Sequence, residues 1–165
     1  MGLDQYGYTT ETITQADYEV RLAEFDAMSP DEKWEKNPPV PMLDPEGNPH
    51  LKTEISYWRK HNRLQGYMSD LWIEKGRPNK YFTEDGQPMD DYFNCLPLEL
   101  TDSDLKYMEK IVKDLNLPET NGFFFGSDSY NYLKEDRLLE SDLEFIQQGR
   151  IALKQGKKVY YSCWW

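Results

Sequence analysis

Both ends of this 165-residue chain carry the residue pattern of a β-strand. Residues 2–10 alternate large apolar with polar side chains, which is typical of a half-buried strand. Residues 159–165 consist almost entirely of types that favour strands. Because chain ends usually fray, such side chains at both ends predict that the first and last segments lie inside one sheet.

Helix-capping patterns between these ends predict several helices. Thr14 with Asp17, Ser29 with Pro30 and Thr101 with Asp104 are typical helix starts. Residues 37–49 hold five of the ten prolines, which predicts an extended loop.

The clearest apolar period predicts a helix that begins near Thr53 and ends at residues 76–78. Apolar or aromatic side chains recur there every three or four residues, at Tyr57, His61, Leu64, Met68 and Leu71. Residues 92–96 and 122–126 are predicted as short strands, and Ser127, Asp128 or Ser129 as the cap of a long following helix. The pattern predicts an α/β (α+β) fold: a single sheet of about four strands including both termini, packed with four to five helices.

The charge is concentrated in the first third of the chain. The net charge is −11, and residues 1–50 hold eleven acids against three bases. This balance argues against direct nucleic-acid binding and against an anionic membrane surface. We expect one domain, residues 1–165, with residues 11–50 as an acidic, proline-rich helical arm. The arm is either a solvated face or a surface for a basic partner.

Compartment signals are few. No apolar run approaches a bilayer span, and Met1 is followed by no secretory signal. Two cysteines, Cys95 and Cys163, make a poor disulfide framework and favour a reducing cytoplasm.

The densest cationic cluster is a candidate anion site. If the predicted helix forms, Arg59, Asn62 and Arg63 share one face beside Trp58, with Lys60 nearby. Arginine forks suit phosphate or carboxylate. The alternative is pairing with local acids such as Glu54 or Glu74.

Other chemistry has weaker support. The turn at residues 126–129 could cradle an anion on free amides, although ordinary helix capping is the favoured interpretation. His50, His61 and the two cysteines have no metal-ligand spacing, and no catalytic motif is present. We therefore expect no metal, no cofactor and no catalytic residue. The aromatic residues are expected in the core, with a subset able to line a pocket that stacks a base.

Four motifs resemble an uncharacterised family of small phage and bacterial proteins. They are "MGLDxY" at residues 1–6, "ExxYWRKxN" at residues 54–62, "GFFFGS" at residues 122–127 and "YxSxW" near the end. The resemblance implies a candidate ligand-binding set of Asp4, Glu54, Trp58, Arg59, Lys60, Asn62 and Ser127. The same residues could instead form an internal network that fixes the fold. The family often carries histidine and tryptophan where this chain has Gln65 and Tyr67.

Together these features favour a phage-encoded accessory protein in the host cytoplasm, of a host-takeover or anti-defence type. It would bind a host protein through residues 11–50, or a small anionic, nucleotide-like ligand. One alternative is a small enzyme acting on nucleotide-like or phosphorylated substrates, with Arg59 and Lys60 as charge clamps. A second alternative is an acidic DNA-mimic inhibitor.

Overall fold

The computed structural model describes residues 2–80, 85, 92–122 and 137–165. These residues form five strands and five helices. The strands are β1 (Asp4–Thr12), β2 (Val40–Leu43), β3 (Pro49–Arg59), β4 (Leu98–Leu100) and β5 (Lys158–Trp164). The helices are α1 (Gln15–Ala27), α2 (Pro30–Lys36), α3 (Asn62–Glu74), α4 (Asp102–Lys113) and α5 (Leu138–Lys154).

The strands form one antiparallel sheet in the order β2-β3-β1-β5-β4. The first strand is central and the last strand lies beside it, with Asp4 opposite Trp164 in the register. This confirms the prediction that both end segments lie inside the sheet. It also confirms the single-sheet α+β class, with five strands where about four were expected.

The three capping predictions are confirmed. The side chains of Thr14, Ser29 and Thr101 each accept a hydrogen bond from a backbone N–H three residues on. Ser29 and Thr101 form complete capping boxes, because Glu32 and Asp104 bond back to the cap residue's own N–H. These starts depend on contacts within four residues, which the sequence alone specifies.

The prediction of a helix from Thr53 is wrong over its first half. Residues up to Arg59 belong to β3, and α3 begins only at Asn62. A bulge between Gly7 and Tyr8 shifts the register of β3 by one residue, with Ile55 as the extra residue. The bulge interrupts the alternation that would otherwise indicate a strand.

Two further predictions are corrected. The expected loop at residues 37–49 contains β2, an edge strand in which Pro41 is tolerated because one side lacks a neighbour. Residues 92–96 are not a strand; Cys95 has a left-handed φ of 57°, and the strand β4 follows at Leu98. The predicted strand 122–126 and the helix start at residues 127–129 lie outside the described residues, apart from Gly122.

The described helices pack on one face of the sheet. Phe145 of α5 meets Trp58 edge-on with ring centroids 5.2 Å apart. Phe93 stacks on both Trp72 of α3 and Tyr161 of β5. Gly7 faces this layer, and a Cβ there would overlap the Phe145 ring. The core therefore lies between the sheet and α3, α4 and α5.

The arm helices α1 and α2 contribute no buried residue. Tyr18, Leu22 and Phe25 are half-buried, and Phe25 borders a cleft with Leu51 of β3. Leu51 alternates with Lys52 along the strand, so α1 lies on the same side of the sheet as the other helices. The opposite side of the sheet carries no helix among the described residues.

Candidate functional site

The side of the sheet opposite the helices presents rows of aromatic and charged side chains. Each row takes one residue from β3, one from β1 and one from β5. The two central rows are Tyr57, Tyr6 and Ser162, and Glu54, Tyr8 and Tyr160. The two outer rows are Arg59, Asp4 and Trp164, and Lys52, Thr10 and Lys158. Glu99 of β4, and Val40 and Met42 of β2, extend the rows to the edges. We call this surface the tyrosine face.

The rings of the tyrosine face pack in pairs. Tyr6 and Tyr57 have centroids 5.4 Å apart at a tilt of 48°. Tyr8 and Tyr160 stack at 5.4 Å and 15°, with Nζ of Lys52 4.1 Å from the Tyr8 centroid. These cross-strand contacts fix the rings in a flat layer on the sheet.

The phenols of this face remain protonated well above neutral pH. The hydroxyl of Tyr57 donates to Oδ1 of Asp4 at 2.5 Å, and this bond to an anion raises the pKa of Tyr57 to about 12. Burial raises the pKa of Tyr8 and of Tyr160 to about 12. The face therefore offers neutral hydroxyl donors, not phenolate nucleophiles.

Two aromatic side chains of the tyrosine face, Trp164 and Tyr57, are more exposed to solvent than Tyr8. Trp164 is 62 % exposed and Tyr57 is 49 % exposed, whereas Tyr8 is buried under its neighbours. Exposed aromatic side chains held by a rigid sheet lose little conformational entropy on contact with a partner. The tyrosine face can therefore take part in docking, but it has no enclosed pocket shape.

The residues predicted as a ligand-binding set are divided between the two sides of the sheet. Asp4, Glu54 and Arg59 lie on the tyrosine face. Trp58 is buried on the opposite side among the helices.

The remaining members lie beyond the end of β3 or outside the described chain. Lys60 occupies the turn after β3 with a left-handed φ of 59°. Asn62 is buried at the start of α3. Ser127 lies outside the described residues. The expected shared helix face of Arg59, Asn62 and Arg63 is wrong, because Arg59 ends a strand and Arg63 is buried in the first turn of α3.

A buried contact between a histidine and an aspartate lies behind the sheet. Nε2 of His61 lies 2.9 Å from Oδ2 of Asp142, and both side chains are buried. His61 is also the N-cap of α3, and its Nδ1 accepts from the Leu64 N–H at 3.4 Å. Burial raises the pKa of Asp142, opposed by the charge and hydrogen bond of His61 and by the Trp58 indole.

Two glutamines extend this buried polar system. The side chain of Gln5 donates to the His61 carbonyl at 3.1 Å and to the Tyr161 hydroxyl at 2.8 Å, and it accepts from the His61 N–H at 2.9 Å. Tyr161 donates onward to Gln65 at 2.7 Å. The system ties β1, β5 and α3 together, with no access for a substrate to its members. We read it as structural.

The described residues were compared with the requirements of a metal site, a disulfide and a membrane span. Among the residues that the structure describes, no group of three side chains could hold a metal ion. Cys95 and Cys163 are both free thiols. No helix within the described ranges is long and apolar enough to cross a bilayer.

The tyrosine face and the His61–Asp142 pair were both missed from the sequence. The alternation Asp4-Tyr6-Tyr8 against Gln5-Gly7-Thr9 did indicate two faces, but aromatic residues were assigned to the core. The small Gly7 and the amide Gln5 in fact mark the buried side. His61 gave no signal as a cap, because histidine is not a typical N-cap residue.

No family model, no curated protein and no solved structure matches this chain.

Proposed function

We propose that this chain is a non-catalytic binding protein whose acidic arm, residues 11–50, docks a basic surface of a partner protein. The observation that carries the proposal is Trp34, which is 87 % exposed on α2 within a segment whose two helices bury no residue. A tryptophan so placed is fully accessible to a partner. Tryptophan is also the residue type most enriched at binding hot spots.

Charge and local order support the same surface. Residues 1–50 carry eleven of the 30 acids and only three of the 19 strong bases. Nζ of Lys33 lies 4.3 Å from the Phe25 ring centroid, which holds α2 against α1. A held, negatively charged surface steers a basic partner and loses little entropy on docking.

The resemblance to phage proteins favours a host protein as the partner. A host enzyme that binds nucleic acid is one such basic protein, which would make the arm a DNA mimic. Competition by double-stranded DNA would separate that case from other basic partners.

A small anionic ligand is the second candidate. The described members of its predicted binding set are divided between the two sides of the sheet. Arg59 and Lys60, the proposed clamps of an enzyme, lie on a strand end and in a turn.

The test is affinity capture from host lysate with matched variants. We expect Trp34→Ala to lower the captured amount of a specific protein at least about tenfold, as for a hot-spot residue. The double variant Asp26→Lys with Glu35→Lys should do the same. Both acids lie in the last turn of their helices, where a lysine favours the helix dipole.

The matched control is Glu119→Lys with Glu144→Lys, which changes the net charge equally at exposed sites outside the arm. This control should capture as well as the natural chain. Capture that is insensitive to Trp34 and to the arm charges, or equally sensitive to the control charges, would refute the proposal.

A further inference from the structure

The tyrosine face differs from the rest of the chain in its charge. Among the described strand residues it carries three acids, Asp4, Glu54 and Glu99, and three bases, Arg59, Lys52 and Lys158. The whole chain has a net charge of −11. Two copies that met through the arm would bring like charges together, whereas two tyrosine faces meet without net repulsion.

The acids and bases of this face are distributed as neighbours. Asp4 lies opposite Arg59 in the register of β1 and β3. Nζ of Lys158 lies 3.6 Å from Oε2 of Glu99. Lys52 and Glu54 lie two residues apart on β3 and point to the same side. Because each sign is present in each region, the surface is complementary to a copy of itself.

The arrangement also has the anatomy of a protein interface. The tyrosine pairs occupy the two central rows, with Glu54 and Glu99 at their sides. The other charged residues, Asp4, Arg59, Lys52 and Lys158, lie in the outer rows. Exposed apolar side chains extend the centre to Trp164 on β5 and to Val40 and Met42 on β2. Interfaces in general combine an aromatic centre with a polar rim.

The area of the face sets the strength of the contact. Strands spaced about 4.8 Å apart, with a rise of about 3.3 Å per residue, give the five strands a projected area of roughly 540 Å². Two such faces together bury about 1,100 Å², near the lower limit for a specific interface. A dimer of this size is weak and depends on protein concentration.

We propose that the tyrosine face binds a second copy of this chain, forming a weak symmetric dimer. The two sheets then stack face to face, with Tyr57 and Trp164 as anchors on each copy. The contact uses Val40 and Met42 of β2 but leaves α1 of the acidic arm on the opposite side of the sheet, so it does not rest on the proposed function.

Sedimentation equilibrium on the full chain, from about 10 μM to about 1 mM, tests the proposal. We expect a monomer–dimer equilibrium whose Kd rises at least about tenfold in Trp164→Glu and in Tyr57→Glu. Trp34→Glu and Tyr107→Glu are the controls, since both residues are exposed aromatics away from this face. The controls should dimerise like the natural chain.

The salt dependence gives a second readout. Raising the salt from about 50 mM to about 500 mM should strengthen the dimer, because salt screens the repulsion between two negative chains. The complex with a basic partner should weaken under the same change, so the two proposals fail separately. If Trp164→Glu does not fold, Met42→Lys at the exposed edge strand takes its place.

Three outcomes overturn the proposal. The first is a monomer throughout the concentration range. The second is a dimer that the variants of the tyrosine face leave intact. The third is a natural chain that stays monomeric and captures a different protein, where Trp164→Glu abolishes that capture. This outcome assigns the tyrosine face to that protein.

Discussion

Oδ2 of Asp142, in the first half of α5, lies 2.9 Å from Nε2 of His61, the N-cap of α3. Because Nδ1 of His61 accepts from the Leu64 N–H, a neutral ring carries its proton on Nε2 and donates it to Asp142. The contact therefore joins the start of one core helix to the side of another. It lies beneath the sheet, where water does not reach either group.

We expect Asp142→Ala to lower the free energy of unfolding by about 1–3 kcal/mol, because it leaves the buried imidazole N–H without this acceptor. Urea denaturation followed by tryptophan fluorescence measures the change. Glu144→Ala, an exposed change on the same helix, should cost no more than about 0.5 kcal/mol. Equal effects of the two substitutions would contradict a structural role for the pair.

Gly7 is required by its contact with α5. We expect Gly7→Ala to lower the free energy of unfolding by about 1–3 kcal/mol, because the new methyl group would overlap the Phe145 ring. Thermal melts of Gly7→Ala, Phe145→Leu and the double variant measure the coupling. The double variant should be more stable than the two single effects predict by addition. Simple additivity would show that the strain lies elsewhere.

Asp104 links the cap of α4 to α3. Its carboxylate accepts from Lys75 at 2.5 Å and from the Thr101 N–H at 2.7 Å. Partial burial raises the pKa of Asp104, but these hydrogen bonds outweigh it and the pKa is lowered overall. A lowered pKa means that the native state binds the proton less readily than the unfolded chain. The stabilisation is therefore complete above the unfolded pKa of about 4 and is lost as the pH falls below it.

We accordingly expect Asp104→Asn to cost about 1 kcal/mol at pH 7. The difference from the natural chain should shrink as the pH falls below about 4, because the natural carboxyl then takes up its proton. Thermal denaturation across this range gives both curves. A difference that stays constant with pH would show that the charge of Asp104 contributes nothing.

The Tyr57–Asp4 bond gives a spectroscopic prediction for the tyrosine face. We expect Asp4→Asn to lower the pKa of Tyr57 from about 12 toward the ordinary value of 10, because the hydrogen bond to an anion is its main cause. Tyr160, whose pKa of about 12 results chiefly from burial, is the internal control. Carbon NMR of labelled tyrosine ring atoms during an alkaline titration follows both residues. An unchanged Tyr57 would place the cause outside this bond.

Local chemistry explains which predictions from the sequence succeeded. The caps at Thr14, Ser29 and Thr101 depend on residues three positions away, and all three form as expected. The end strands were predictable because their composition leaves few alternatives to a sheet.

Long-range pairing explains what the sequence could not show. Residues 53–59 carry side chains at a helical spacing, yet β1 pairs with them along its whole length and holds them as a strand. The predicted anion site is altered because residues 53–59 form a strand and not a helix. Once Arg59 ends a strand and Lys60 turns left-handed, the cationic cluster no longer shares one helix face. Which side of a strand is buried likewise depends on the bulge at Gly7, which no local pattern specifies.

The place of β5 in the sheet has a consequence for synthesis on the ribosome. β1 emerges well before β5, because this neighbour of β1 is formed by residues about 150 positions later. Until residues 158–164 leave the exit tunnel, β1 keeps one row of backbone groups unpaired, and such an edge invites aggregation. Pairing over so long a separation also slows folding. A chain that lacks residues 158–164 therefore exposes this edge of β1.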